Sequence, residues 1–106
     1  MYSTLRLIHA DNWYLRARGL LFRDQLKTNE VLWLQPCQAV HTVGMRYPIA
    51  VYFLDRCHHV LRVIPELKPF RSAWSLEAVS VVETRVSDTL TAEDIQSAIQ
   101  LFLNGR

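Results

Sequence analysis

Six consecutive apolar residues, IAVYFL at positions 49–54, form the strongest structural signal in the chain. A strand that buries only one face alternates apolar and polar side chains, whereas this run has no polar position. The run therefore predicts a central strand that is covered on both faces. A polar break at residues 55–58 follows it, and the apolar run at residues 60–64 comes next. The two runs together predict a β-hairpin.

Weaker strand patterns lie on either side of this hairpin, at residues 4–8, 31–34 and 76–84. Residues 37–47 are the least regular stretch, and the prolines of residues 65–75 predict an exposed loop. Strands that are joined by hairpins favour an antiparallel sheet, here curled into a small barrel or sandwich.

Two helices are expected. A short one at residues 13–18 follows the capping residues Asp11 and Asn12. The second covers residues 91–103, where Thr91 is the predicted N-cap and apolar side chains recur at helical spacing. The sequence thus predicts one mainly β (α+β) domain over residues 1–106, an antiparallel barrel or sandwich with a short helix in its N-terminal half and a C-terminal helix.

The formal net charge of the chain is only +2, and ten of its twelve basic residues are arginine. This basic excess is weaker than the dense basic stripe of most nucleic-acid binders, so nucleic acid is an unlikely partner. No run of eighteen apolar residues predicts a membrane span, and residues 1–6 do not resemble a signal peptide. We therefore expect a cytoplasmic protein with reduced cysteines and no membrane contact.

Four segments of the chain follow a succession of short sequence motifs. ARGLLFR at residues 17–23 resembles the signature RGLMFR, and VHTVGMR at residues 40–46 is similar to VHTFGMR. PIAVYFLD at residues 48–55 resembles IPLDIIFLD, and VVE at residues 81–83 resembles VLE. Order and spacing agree over about residues 5–85, so the chain resembles the DUF192 family, a group of small bacterial domains without an assigned activity. The resemblance implies a compact, mainly β domain but no reaction.

The chain departs from this family pattern at three places. Ala50 stands where the family usually has Asp, so any acid–base role of that Asp is lost here. His58 stands where a turn glycine is common, and a left-handed backbone at this position has an energetic cost. The tail after Glu83 lacks the family's glycine-containing turn and predicts a helix instead.

Polar residues within the matched segments, together with one loop arginine, are the candidate binding residues. They are Arg18, His41, Thr42, Met45, Arg46, Arg71 and Glu83. Glu83 shares a strand face with Val81, so we expect it to point inward and to pair with one of the arginines. Either the group is a structural ion-pair network, or it lines a cleft for an anion in which His41 titrates.

Thiol and imidazole side chains give a second set of candidates. Cys37, His41, Cys57, His58 and His59 are zinc-ligand residue types, but their spacing fits no known finger or knuckle. A solvated turn and a half-buried thiol are the simpler interpretation, so no metal and no cofactor are predicted. A Cys37–His41 nucleophile pair is disfavoured because nothing in the sequence lowers the pKa of the thiol.

The sequence favours a binding or accessory module over an enzyme. Its loops at residues 37–48 and 65–75 would present Arg, His and aromatic groups, among them Phe70 and Trp74, to an anionic small ligand or a protein segment. The alternatives are a small hydrolase that uses His41 with Arg18 or Arg46 as oxyanion support, and an RNA-binding β platform. The oligomeric state is left open.

Overall fold

The structure is a computed structural model that describes residues 5–10 and 26–105. Its elements are the strands β1 (Arg6–Ala10), β2 (Glu30–Leu34), β3 (Ala39–His41), β4 (Ile49–Leu54), β5 (Val60–Leu67), β6 (Ser72–Trp74) and β7 (Ser80–Arg85), followed by the helix α1 (Ala92–Asn104). The helix that was expected at residues 13–18 lies outside the described residues, as does Arg18.

Five strands form one mixed sheet in the order β1-β2-β7-β4-β5, and β3 pairs with β6 in a second, two-stranded sheet. β1 runs parallel to β2, while the other strand pairs are antiparallel. The prediction of a mainly β domain with a C-terminal helix is confirmed, but the described strands do not form a closed barrel and are not all antiparallel. Closure is not needed to bury the sheet, because separate elements cover its two faces.

β4 lies inside the sheet, between β7 and the edge strand β5, and all six of its side chains are buried. Ile49, Val51 and Phe53 pack into a core with Val40 of β3 and Ala73 of β6. The alternate residues Ala50, Tyr52 and Leu54 pack into a second core with Ile95 and Ile99 of α1. The prediction of a strand covered on both sides is confirmed, and the covers are the small sheet on one face and the helix on the other.

The C-terminal helix begins where the sequence predicts. Thr91 accepts a hydrogen bond from the backbone N–H of Asp94, and the Asp94 carboxylate accepts one from the backbone N–H of Thr91. This capping box satisfies backbone donors that the first helical turn leaves open. Ile95 and Ile99, one turn apart, bring the apolar face of α1 onto the sheet.

The segments expected to be loops contain short strands. β3 falls in the irregular stretch at residues 37–47, and β6 falls in the expected loop at residues 65–75. Each has three residues, which is too short for an alternating pattern to stand out, and each is stabilised by a partner that is distant in sequence. In the part of the chain that the structure describes, no helix is long and apolar enough to cross a membrane.

Candidate functional site

The two-stranded sheet has one buried and one exposed face. Val40 and its partner Ala73 point into the core. Their neighbours along the strands, Ala39, His41, Ser72 and Trp74, are exposed on the other side. We call this side, together with the adjoining Phe70 and Arg71, the β3–β6 face.

Large side chains are exposed on this face although it adjoins a well-packed core. Trp74 is 59% exposed and Phe70 is 65% exposed. An exposed aromatic beside arginine is typical of protein contact surfaces, where Trp, Tyr and Arg supply much of the binding energy. The face is thus the most distinctive surface among the described residues.

A buried hydroxyl fixes the loop that carries Phe70 and Arg71. The side-chain oxygen of Thr42 donates to the Lys68 carbonyl at 2.6 Å and accepts from the Arg71 backbone N–H at 2.8 Å. The Thr42 carbonyl accepts from the backbone N–H groups of Phe70 and Met45. Thr42 and Met45 are both buried, so each supports the loops from below.

An arginine of the edge strand β5 holds the far end of the face. One guanidinium nitrogen of Arg62 donates to the Trp74 carbonyl at 2.8 Å. The guanidinium carbon lies 5.8 Å from the centre of the Phe53 ring, within the range of a cation–π contact. Arg62 therefore joins β5 to β6 and limits the movement of the strand that presents Trp74.

The candidate binding residues divide into two groups. His41 and Arg71 lie on the β3–β6 face, and Arg46 is also exposed. Glu83 is buried in β7, between Leu32 of β2 and Val51 of β4. The described members of this set therefore do not share one cleft.

Glu83 is buried, and no described residue forms the expected ion pair with it. Its Oε1 atom has no hydrogen-bond partner, and no described lysine or arginine forms a salt bridge with it. Burial raises the pKa of Glu83 to about 7, because the charged carboxylate loses its hydration. Among the described residues, the expected pairing of Glu83 with Arg46 or Arg71 is absent.

The candidate metal ligands are also divided. The Cys37 thiol donates to the Ala39 carbonyl at 3.1 Å, and His41 lies on the β3–β6 face. Cys57, His58 and His59 lie in the β4–β5 turn and line a groove of about 310 Å³ against α1. No group of three His, Cys, Asp or Glu side chains in the described segments could hold a metal ion, and neither cysteine is in a disulfide.

The sequence analysis missed this groove. Its helical wall consists of Glu93, Gln96, Ser97 and Gln100, which share one face of α1. Their spacing at three and four residues could have predicted one polar stripe along the helix. The sequence could not predict that this stripe faces the β4–β5 turn, because tertiary contacts decide how α1 packs on the sheet.

Comparisons with known proteins agree with the architecture. A family model described as "uncharacterized ACR" matches residues 2–96. A comparison with curated proteins finds no match. Two solved structures are similar over about three quarters of this chain.

The first is a protein of unknown function from Novosphingobium aromaticivorans DSM 12444, which is 18% identical in sequence and has a TM-score of 0.68. The similarity covers 76% of this chain and 63% of that protein. The chain thus spans less than two thirds of that protein. The second is a candidate transcription regulator from Sinorhizobium meliloti 1021, 16% identical with a TM-score of 0.69, over 77% of this chain and 69% of that one. At these identities the similarity shows the fold alone.

Proposed function

The chain belongs to the DUF192 family, and we propose that its β3–β6 face binds an acidic segment of a partner protein. The observation that carries the proposal is the alternation of β3 and β6. Val40 and Ala73 fill the core, while Trp74 is directed outward at one end of the small sheet and Phe70 is exposed in the loop at its other end. A stability role does not account for aromatic side chains that are more than half exposed.

Charge indicates the chemistry of the partner. Arg71 and Arg46 are exposed in the two loops beside the face, and His41 is exposed on it. Within the described residues, the Arg71 guanidinium donates only to the Phe70 carbonyl, which leaves donors for a carboxylate. Positive groups around an aromatic centre complement an acidic segment that also carries apolar side chains.

Shape favours a protein segment over a small anion. Small ligands bind in concave pockets that bury most of their surface. The β3–β6 face is an exposed strand surface, with Trp74 opposite Ala39 at one end and His41 opposite Ser72 at the other, where Arg71 and Phe70 follow. An extended segment can contact the aromatic side chains and the cations together.

The test uses a fluorescently labelled peptide of alternating glutamate and leucine residues, with binding followed by fluorescence anisotropy. We expect saturable binding that weakens as salt is added. Trp74→Ala and Arg71→Ala should each weaken it about ten-fold, the loss that corresponds to roughly 1.4 kcal/mol at a central interface residue.

Matched controls separate this site from general charge attraction. Arg6→Ala removes the same charge from β1, the edge strand on the opposite side of the five-stranded sheet from β5. This variant should bind the acidic peptide with unchanged affinity. A lysine–leucine peptide should not bind. Equal losses in Arg6→Ala and Arg71→Ala would contradict the proposal. Tighter binding of a uridine oligonucleotide than of the acidic peptide would favour an RNA platform instead.

A further inference from the structure

We infer that the groove between the β4–β5 turn and α1 is a binding site for a small polyhydroxylated molecule, of the size of a monosaccharide or an inositol. This site is on the helix-covered side of the five-stranded sheet, away from the β3–β6 face, and is independent of the proposed function. Its volume of about 310 Å³ is at the small end of the range for ligand sites. Its residues come from two elements, three from the turn and four from the helix.

Two buried polar atoms on the helix-covered face of the sheet have no hydrogen-bond partner among the described residues. Trp33 and Ser80 are fully buried, and neither the indole Nε1 of Trp33 nor the hydroxyl of Ser80 makes a hydrogen bond to the described residues. Both belong to the sheet face that packs against α1, because Trp33 is opposite Val82, and Ser80 is two residues before Val82 on the same strand. An unsatisfied buried polar group is costly, so the pair indicates a missing partner.

His58 connects this pair with the groove. Its ring lines the groove and lies 5.5 Å from the Trp33 ring, edge to face. Since β7 lies between β4 and β2, a ring that reaches from the β4–β5 turn to Trp33 passes over the end of β7, where Ser80 is located. His58 therefore separates the open groove from the two unsatisfied atoms.

The turn is held in the shape that places His58 there. The Asp55 carboxylate accepts backbone hydrogen bonds from Cys57 at 2.8 Å and from His59 at 3.0 Å. The His59 bond is the main cause that lowers the pKa of Asp55. His58 itself has φ of 68°, the left-handed region that non-glycine residues rarely adopt. The backbone thus keeps an imidazole at a position where a glycine would be less strained.

The polar groups on the helical wall indicate the ligand class. Gln96 accepts from the Val60 backbone N–H with its side-chain oxygen, which leaves its NH₂ group to donate. Gln100 donates to Asn104, which leaves its side-chain oxygen to accept. Ser97 can do both, and Glu93 accepts. Donors and acceptors therefore alternate along the wall, and hydroxyl groups match such a wall because each hydroxyl both donates and accepts.

Charged ligands fit the groove less well. Its lining includes no lysine or arginine among the described residues, which disfavours a phosphate or carboxylate ligand. Glu93 is its one carboxylate, and no second acidic side chain lines the groove to help hold an organic cation. A neutral polyol, whose hydroxyl groups can hydrogen-bond with Gln96, Ser97 and Gln100, needs no charged partner in this groove.

The test follows the Trp33 indole N–H signal by ¹⁵N–¹H NMR, assigned with Trp33→Phe. D-glucose, D-ribose and myo-inositol are titrated separately into the protein. We expect at least one of them to shift this signal with a saturable dependence. Ser97→Ala should weaken that binding about five-fold, the effect of one lost neutral hydrogen bond. Ser72→Ala, the same change on the β3–β6 face, should not.

The alternative occupant is a buried water molecule between Trp33 and Ser80. In that case none of the three probes shifts the indole signal, and the proposal is overturned. A response to sodium phosphate but not to the polyols would also overturn it, since the site would then be an anion site. Because Ser97 is exposed, its variant should fold, so a loss of binding there would not reflect unfolding.

Discussion

Glu83 is a buried carboxyl group, whereas glutamate side chains are ordinarily exposed to solvent. The alternation of residues 79–83 correctly predicts that it points inward, because Val81 on the same strand face is also buried. The sequence could not predict that Arg46 and Arg71 would be elsewhere, since the positions of these loop residues depend on tertiary hydrogen bonds such as the one between Thr42 and the Arg71 backbone. The result is a carboxyl group among apolar side chains of β2 and β4.

Glu83→Gln should remove a pH-dependent loss of stability. The pKa of Glu83 is raised from 4.5 to about 7 on folding, so the folded protein binds the proton more tightly than the unfolded chain. Stability is therefore highest below the unfolded pKa and falls as the pH rises through the folded one. From about pH 5 to about pH 8 the loss is roughly 2–3 kcal/mol, at 1.36 kcal/mol for each unit of pKa difference.

Urea unfolding at both pH values checks this expectation. The difference between the two midpoints should be large in the wild-type protein and small in Glu83→Gln. Glu77→Gln is the control, because Glu77 is exposed and its variant should show the same difference between the two midpoints as the wild-type protein. If Glu83→Gln also kept that difference, Glu83 would not be the group that titrates.

At the scale of elements, the long patterns could be predicted from the sequence and the short ones could not. β4 and α1 carry complete signals, an unbroken apolar run and a capped stripe, and both occur where expected. β3 and β6 have three residues each and exist because they pair with one another across more than thirty positions. The parallel pairing of β1 with β2 also could not be predicted, because strands that are joined by hairpins pair in antiparallel orientation.

The contribution of the capping box at the start of α1 to stability can be measured on its own. Thr91→Ala removes the side-chain acceptor for the Asp94 N–H, which lies 3.2 Å away, and should destabilise the protein by about 1 kcal/mol. Thr91→Ser keeps the acceptor and should lose much less. Thermal unfolding followed by circular dichroism measures both. Equal losses in the two variants would show that the methyl group, and not the hydroxyl, is what matters.

The molecule as a whole is a sheet with two different covers, and each cover carries one proposed site. From the sequence, His41, Arg71, Phe70 and Trp74 were correctly placed in exposed segments, but their assembly on one surface required the β3–β6 pairing. The groove at the β4–β5 turn required the packing of α1, which residue spacing along the chain does not specify. The two sites belong to opposite sides of the sheet, and so they should be energetically separable.

Ile99→Ala tests this separation. Ile99 is fully buried against the helix side of the sheet, so its truncation should destabilise the protein by about 3 kcal/mol through lost burial and a cavity. Leu101→Ala on the same helix, where the side chain is 73% exposed, should cost less than about 0.5 kcal/mol.

Under conditions in which both variants stay folded, each should bind the acidic peptide with the affinity of the wild-type protein. Effects of distant sites add, so the loss of affinity in the double variant Ile99→Ala, Trp74→Ala should equal that of Trp74→Ala alone. A larger loss in the double variant would mean that the helix and the small sheet are coupled through β4, and the description of two independent covers would be wrong.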